Sequence, residues 1–243
     1  DLRDKRDSKV KELSGLIDLN FVDEQDGQIS LTLSDGTPLV LQSTVYTLET
    51  SINGNNKSFK DILVQDPAGN STNITSSITG GSIKGYVEMR DTEVEDLRDK
   101  LDRLAAGFVQ EFNNIHQQGF GIDGSTGNNF FSALTPTVVT NTNNTGSATL
   151  TATNGDPENI SVDKFEITFT GSNSFSLSNL TTGLNEGTFN FTAGSTFNLA
   201  NGFAVTISGT PAVGDKIKLS VSESAARNFS VASGVASNSD KIA

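Results

Sequence analysis

At 243 residues the chain is long enough for one large or two modest domains. It carries 29 acids against 17 bases, a formal charge of −12, and no basic run, which argues against nucleic acid or an anionic membrane surface as partner, since both need clustered Lys and Arg. No apolar stretch approaches the roughly 18 residues that span a bilayer, and without cysteine neither disulfides nor thiolate metal sites can form.

The opening residues, Asp1-Leu2-Arg3-Asp4-Lys5-Arg6-Asp7, are charged throughout, lack an initiating Met and have nothing of a secretory signal peptide. They read as a helix already under way, so the chain is expected to be a fragment. Residues 1–17 place Val10, Leu13, Leu16 and Ile17 on one helical face, with Gly15 weakening the last turn. The period then changes to two. Phe21 to Glu24, Gln28 to Leu33 and Pro38 to Leu41 read as short strands, with tight turns at Asp26-Gly27 and Asp35-Gly36. Further strands are expected around Val45 to Leu48 and Ile62 to Gln65, and the Ser/Thr/Asn/Gly-rich segment 70–81 reads as an exposed loop.

A long helix follows, over about 82–118. Ser82 fits an N-cap, and Thr92-Glu93-Val94-Glu95 fits a capping box, so two starts are open. Gly119 reads as the C-terminal stop. Within it Val94, Leu97, Leu101, Leu104, Phe108, Phe112 and Ile115 recur at spacings of three and four that alternate almost throughout, with Ile83 and Val87 in register behind them. Acids and bases fill most of the positions between. A stripe this narrow, near the 3.5-residue repeat, predicts a coiled-coil-like seam. Only one other clear helix is available to cover it, so the seam is expected to pack against something larger.

From about Thr135 the background becomes Thr, Ser, Asn and Gly, with Lys164, Lys216 and Lys218 the only bases between Gly121 and Ser222. Period-two apolar sets run through it: Phe165/Ile167/Phe169, Phe175/Leu177, Phe189/Phe191, Phe197/Leu199, Phe203/Val205/Ile207 and Ile217/Leu219/Val221. Turn residues separate them, as at Asn201-Gly202 and Gly214-Asp215. This predicts an antiparallel β-sandwich or barrel. After Ser222 the pattern is helix-permissive again, and 239–243 reads as the start of another helix. The expected fold is α+β: long coiled-coil-like helices with a small β-hairpin region over 1–134, a β-rich domain over 135–222, and a helix-permissive segment over 223–243.

Residue chemistry for catalysis or metal binding is sparse. His116, the one histidine, has no motif-spaced partner and reads as a solvent-facing or partly packed residue near a helix end. The Asp123 loop resembles a calcium loop, but a twelve-residue EF-hand count puts Asn128 where Gly belongs and Leu134 where Glu belongs. Asp156 and Glu158 lie close in a loop with nothing placing them around a substrate. Asn-x-Ser/Thr triplets are as frequent as this composition produces by chance. No glycine-rich loop has phosphate-binding spacing, and with no Trp and two Tyr a carbohydrate platform is disfavoured. No enzyme activity, metal or cofactor is expected.

Several segments together resemble the flagellar hook-associated protein 1 family. They are Leu2-Arg3-Asp4-Lys5-Arg6-Asp7 with Leu13-Ser14; Asp35-Gly36-Thr37-Pro38-Leu39-Val40; Gly81-Ser82-Ile83-Lys84-Gly85 through Arg90-Asp91; and Leu101-Asp102-Arg103-Leu104-Ala105. Gly119-Phe120 with Asn129-Phe130-Phe131, Pro211 to Asp215, and Ala225 to Val231 continue the match in order. The resemblance implies a structural protein without an active site, an adaptor at the hook–filament junction whose helical termini line an inner tube, with the β-rich domain 135–222 facing outward and 223–243 returning to the helical core. It implies contacts with other copies, with hook protein and with the second junction protein next to the filament, and a secretion chaperone engaging a terminal segment not present here. It also implies an extracellular, flagellar location reached through the flagellar type III system without a cleaved signal peptide. Residues 1–243 alone are expected to be soluble and monomeric. The competing reading is a surface adhesin or ligand-binding β module built on the low-charge region 135–222.

Overall fold

Two separate apolar clusters organise the chain in the computed structural model, which describes residues 1–24 and 27–243. They belong to two compact units, residues 1–96 and 97–243. Both mix helices with antiparallel sheets, as the α+β expectation requires.

The first unit opens with α1 (Leu2–Leu16), capped by the Asp1 side chain, which accepts from the Arg3 N–H. Val10 and Leu13 turn toward the cluster, and Ile17, one residue past the helix, is fully buried. Strands β1 (Asn20–Asp23), β2 (Ile29–Thr32), β3 (Pro38–Leu41) and β4 (Thr44–Val45) form a four-stranded meander in chain order. Of the two expected turns, the one at Asp26-Gly27 lies partly outside the described residues. The other is a tight turn: Gly36 takes φ +88°, and Asp35 Oδ1 accepts the Thr37 N–H at 2.9 Å. A second sheet has β5 (Thr47–Ile52), β6 (Lys60–Gln65) and β7 (Ser71–Asn73), in that order.

Two expectations are corrected here. Val45 to Leu48 is not one strand. The Tyr46 N–H bonds back to Leu39 O while the chain leaves the meander, and the following residues pair with β6 instead. Segment 70–81 is not simply an exposed loop: it contains β7, and Ile74 and Ile78 are both buried in the cluster with Ile29, Leu31, Leu33, Leu39 and Val64. Apolar burial there outweighs the polar composition around it, at roughly 1.5–3 kcal/mol for each side chain.

Asp18 ties these pieces together. Its carboxylate accepts the Thr79 N–H at 2.9 Å, the Thr79 hydroxyl at 2.8 Å, the Gly80 N–H at 3.0 Å and the Ser34 hydroxyl. Partial burial alone would raise its pKa, but these four donors win and hold it far below the ordinary carboxylate range. The next residue, Gly81, takes φ +79°, and a Cβ there would fall 2.5 Å from the Leu16 carbonyl carbon. Only glycine fits this junction.

Helix α2 (Gly81–Glu88) begins on Gly80 and runs through a π-helical turn, Met89–Glu93, into α3 (Val94–Gln117). Neither proposed cap is used as such: Ser82 lies inside the helix, and Thr92-Glu93 lies in the π turn, where the Val94 N–H reaches five residues back to Met89 O. The wider turn takes up about one extra residue. Register therefore changes: Ile83 packs on the first cluster and Val87 is half-buried, whereas Val94 is exposed. Arg90 fastens the turn through Asp91 Oδ2 at 2.8 Å and Lys60 O at 2.9 Å, with its guanidinium 5.3 Å from the Phe59 ring centre.

In the second unit β8 (Thr137–Thr140), β9 (Thr149–Asn154), β10 (Phe165–Gly171), β11 (Ser174–Asn179) and β12 (Asn185–Asn190) are followed by β13 (Thr196–Asn198), β14 (Phe203–Ser208) and β15 (Lys216–Ser220). They make a five-stranded sheet, ordered β12-β11-β10-β15-β8, and a three-stranded sheet, ordered β13-β14-β9. Every pairing is antiparallel. The period-two reading appears directly in the burial: Phe165, Ile167 and Phe169 on β10, Phe203, Val205 and Ile207 on β14, and Ile217 and Leu219 on β15 all enter one cluster fed by both sheets. Among the described residues neither sheet closes into a barrel. Buried Asp215 pins the loop before β15 by accepting the Ala212 N–H at 2.9 Å, the Thr145 N–H at 2.9 Å and the Gly146 N–H at 3.0 Å. The tail holds a short α4 (Ser233–Ser237) and a 3₁₀ turn at Ser239–Lys241.

Candidate assembly surface

Helix α3 is amphipathic, and from Leu97 onward it docks by its polar side. Asp99, Asp102, Ala106, Val109, Asn113 and His116 recur at steps of three and four, and this is the stripe that is covered. Ala106, Val109, Asn113 and His116 are buried. Polar side chains on the same side bind backbone groups of distant segments. Asp102 accepts the Ser224 N–H at 3.1 Å and the Ala226 N–H at 2.9 Å. Gln110 donates to Ile160 O at 3.0 Å and Glu158 O at 3.2 Å. Asn113 makes a two-way clasp with Phe131, donating to its carbonyl at 3.1 Å and accepting its N–H at 2.9 Å.

Charge pairing extends the clasp. Lys164 Nζ bonds Asp99 at 2.6 Å and Glu223 at 2.9 Å. Burial alone would lower the Lys164 ammonium pKa, but the hydrogen bonds to Asp99 and Glu223 more than offset it and leave the value raised. Arg103 lies 3.5 Å from Asp163.

The predicted seam lies on the other side of the helix. Val94, Leu97, Leu101, Leu104, Phe108, Phe112 and Ile115 are all exposed, by 37–71 %. At 3.6 residues per turn the two stripes are displaced by one or two residues at each step, which sets them on roughly opposite faces. An apolar face left open beside a satisfied polar face inverts the arrangement of an ordinary surface helix. A charge introduced at Leu101, which is 50% exposed, would stay hydrated in this chain.

The lower end of the seam is aromatic. Phe108 lies 5.8 Å from Phe112 and 6.0 Å from Phe229, measured between ring centres, and Phe131 sits beneath them, 5.6 Å from Phe108 and 4.6 Å from Phe229. Phe112 touches Phe130 at 5.0 Å. Phe229 and Val231 are themselves exposed, so the apolar stripe widens here into a patch. The Phe130-Phe131 and Phe229 segments meet through the Ala232 N–H, which bonds Phe130 O at 2.8 Å. Phe229 was visible only as part of a sequence motif; its place beside the seam depends on this pairing of distant segments.

His116 is not solvent-facing but buried, because Asn128 O and the Ala243 N–H satisfy its two nitrogens. Asp123 accepts from the Ser125 N–H and hydroxyl and serves as a turn residue. Asp156 is occupied with Asn159. Among the described residues no cluster of three or more His, Cys, Asp or Glu side chains is arranged to hold a metal, and no helix is long and apolar enough to cross a membrane.

Comparison with known proteins bears on this surface. Residues 1–131 match the family described as "Flagellar hook-associated protein FlgK helical domain". The chain is 29% identical over 232 residues to flagellar hook-associated protein 1 of Escherichia coli (strain K12), covering 95% of this chain and 42% of that protein. With the protein of that name from Salmonella typhimurium it shares 30% identity over 173 residues, 70% of this chain and 31% of the relative. The solved structure of the flagellar hook junction protein FlgK from Burkholderia pseudomallei superposes over the whole of this chain and 44% of its own, with a TM-score of 0.79 and 28% identity. The chain thus spans less than half the length of the relatives it matches. With more than half of its residues inside the family's helical domain and its fold repeated across its full length, the chain belongs to the flagellar hook-associated protein FlgK family.

Proposed function

We propose that this chain is the central part of a structural adaptor at the junction between the flagellar hook and filament, acting through repeated subunit contacts and without catalysis. The observation that carries the reading is the open apolar stripe from Leu97 to Ile115 in a chain of this family. Half-burying its residues further is worth about 0.8–1.5 kcal/mol each, on the order of 5–10 kcal/mol in all, enough to drive helix association once ordering costs are met. The 3.5-residue repeat suits a coiled-coil-like seam with a helix outside residues 1–243. Residues 1–134 and 223–243 then form the helical core. Residues 135–222, whose two sheets share one core in the manner of a β-sandwich, face outward.

The partners that follow are other copies, hook protein and the second junction protein, with a chaperone engaging a terminal segment beyond these residues. Ring or tube closure requires heterologous contacts between copies. The location is extracellular, on the flagellum, after type III export without a cleaved signal peptide.

The test uses the full-length protein with Leu101→Asp and Leu104→Asp together, in cells lacking their own copy. Loss of motility and of protein at hook ends, with residues 1–243 still folded, is the expected result. Normal motility and hook binding would remove the stripe from assembly. A wild-type full-length protein that never associates with hook ends would remove the adaptor reading itself.

A further inference from the structure

Buried His116, in the last turn of α3, has Phe112 stacked on it at 6.5 Å and Phe130 edge-on at 5.5 Å. Its two nitrogens meet different partners. Nδ1 lies 2.7 Å from Asn128 O, and a carbonyl oxygen can only accept, so Nδ1 carries the proton. Nε2 is then a bare lone pair, and it accepts the Ala243 main-chain N–H at 3.0 Å. The neutral ring thus joins α3, the loop 119–131 and the segment 239–243. Close packing surrounds this joint: a Cβ on Gly119 would lie 2.6 Å from Ala243 Cβ, and one on Gly121 would lie 2.5 Å from Asp240 O. One further main-chain bond, from the Asp123 N–H to Asp240 O at 3.2 Å, holds the segment.

We propose that His116 is a proton-sensitive latch, holding residues 239–243 against the end of α3 while neutral and releasing them when charged. Protonation places an N–H on Nε2, directed at the Ala243 N–H, so that donor faces donor and the segment loses its acceptor. The charged groups on the elements packed here are Glu111 on α3, Asp123 on the loop, Asp156 and Glu158 on the loop after β9, and Asp240 and Lys241 on the segment itself. Asp123 is engaged with Ser125 and lies near Lys241. Neither ring nitrogen meets a carboxylate; their partners are a carbonyl and an amide. The latch is independent of what covers the apolar stripe.

Hydrogen exchange at the Ala243 amide, corrected for intrinsic rate and followed from about pH 8 to about pH 5, tests it. Protection is expected to fall as the pH is lowered, approaching about tenfold per pH unit, the slope of one linked proton. His116→Gln, which offers a carbonyl acceptor that does not titrate, is expected to flatten that slope, and Asp123→Asn to leave it in place. A flat wild-type profile overturns the latch, as does a slope that survives in His116→Gln or vanishes in Asp123→Asn. Should His116→Gln fail to fold, the wild-type imidazole and Ala243 amide resonances must titrate with one midpoint; two separate midpoints refute the proposal.

Discussion

Replacing Asn113 by Ala removes a side chain that makes two hydrogen bonds to one buried residue, and the consequence can be worked through bond by bond. The Phe131 N–H loses its acceptor at 2.9 Å and the Phe131 carbonyl loses its donor at 3.1 Å. Both groups sit under the aromatic cluster, where Phe131 is 8% exposed. Each orphaned buried group costs about 1–3 kcal/mol. After allowing for the desolvation that Asn113 itself no longer suffers, about 2–4 kcal/mol remains. For a chain of this size that lowers Tm by about 4–16 °C. Leu104→Asp on the opposite side of the same helix is the comparison. Leu104 is 71% exposed, so its remaining burial and the poorer helix propensity of Asp together cost about 1 kcal/mol, or about 2–4 °C. Thermal unfolding of both variants in residues 1–243, followed by circular dichroism, measures the ratio. If Leu104→Asp costs as much as Asn113→Ala, the apolar stripe is packed within this chain and the inverted docking of α3 is refuted.

Three other outcomes follow from the same geometry. Because the pKa of folded Asp18 is depressed, its contribution to stability is present in full above the unfolded value of about 4 and drains away as pH falls below it toward the folded value. Urea midpoints of wild type should drop on acidification through that window and those of Asp18→Asn should drop less; parallel curves would dissociate Asp18 from acid stability. Gly81→Ala must place a Cβ against the Leu16 main chain at positive φ, a loss of about 2 kcal/mol or more by chemical denaturation, and an unchanged midpoint would show that the α1–α2 junction yields freely. Lys164→Met leaves Asp99 and Glu223 facing each other, costing about 1–3 kcal/mol at this partly exposed site; a double-mutant cycle with Asp99→Asn should return a favourable coupling, and zero coupling would refute the clasp.

Much of this architecture was legible in the chain alone, wherever a local rule is also the global one. Strict alternation over Phe165 to Phe169 and Phe203 to Ile207 specifies strands with one buried face, because a one-residue slip would move every apolar side chain into water. Asp35-Gly36 specifies its turn because φ +88° is open to glycine at little cost. The seam's repeat specifies a helix with an apolar face, whatever its neighbours are. Tertiary structure alone decided which face of that helix is covered. Asp99, Asp102 and Asn113 read as solvated positions, and become the docking face only because Lys164, the Ser224 and Ala226 amides and the Phe131 backbone, 18–124 residues away in sequence, supply matching donors and acceptors. The same holds for Ile74 and Ile78, buried amid polar neighbours, and for the π turn at Met89–Glu93, which offsets Ile83 and Val87 from the seam. Periodicity records how apolar side chains are spaced along an element. The partner each face meets depends on groups that only the folded chain brings within reach.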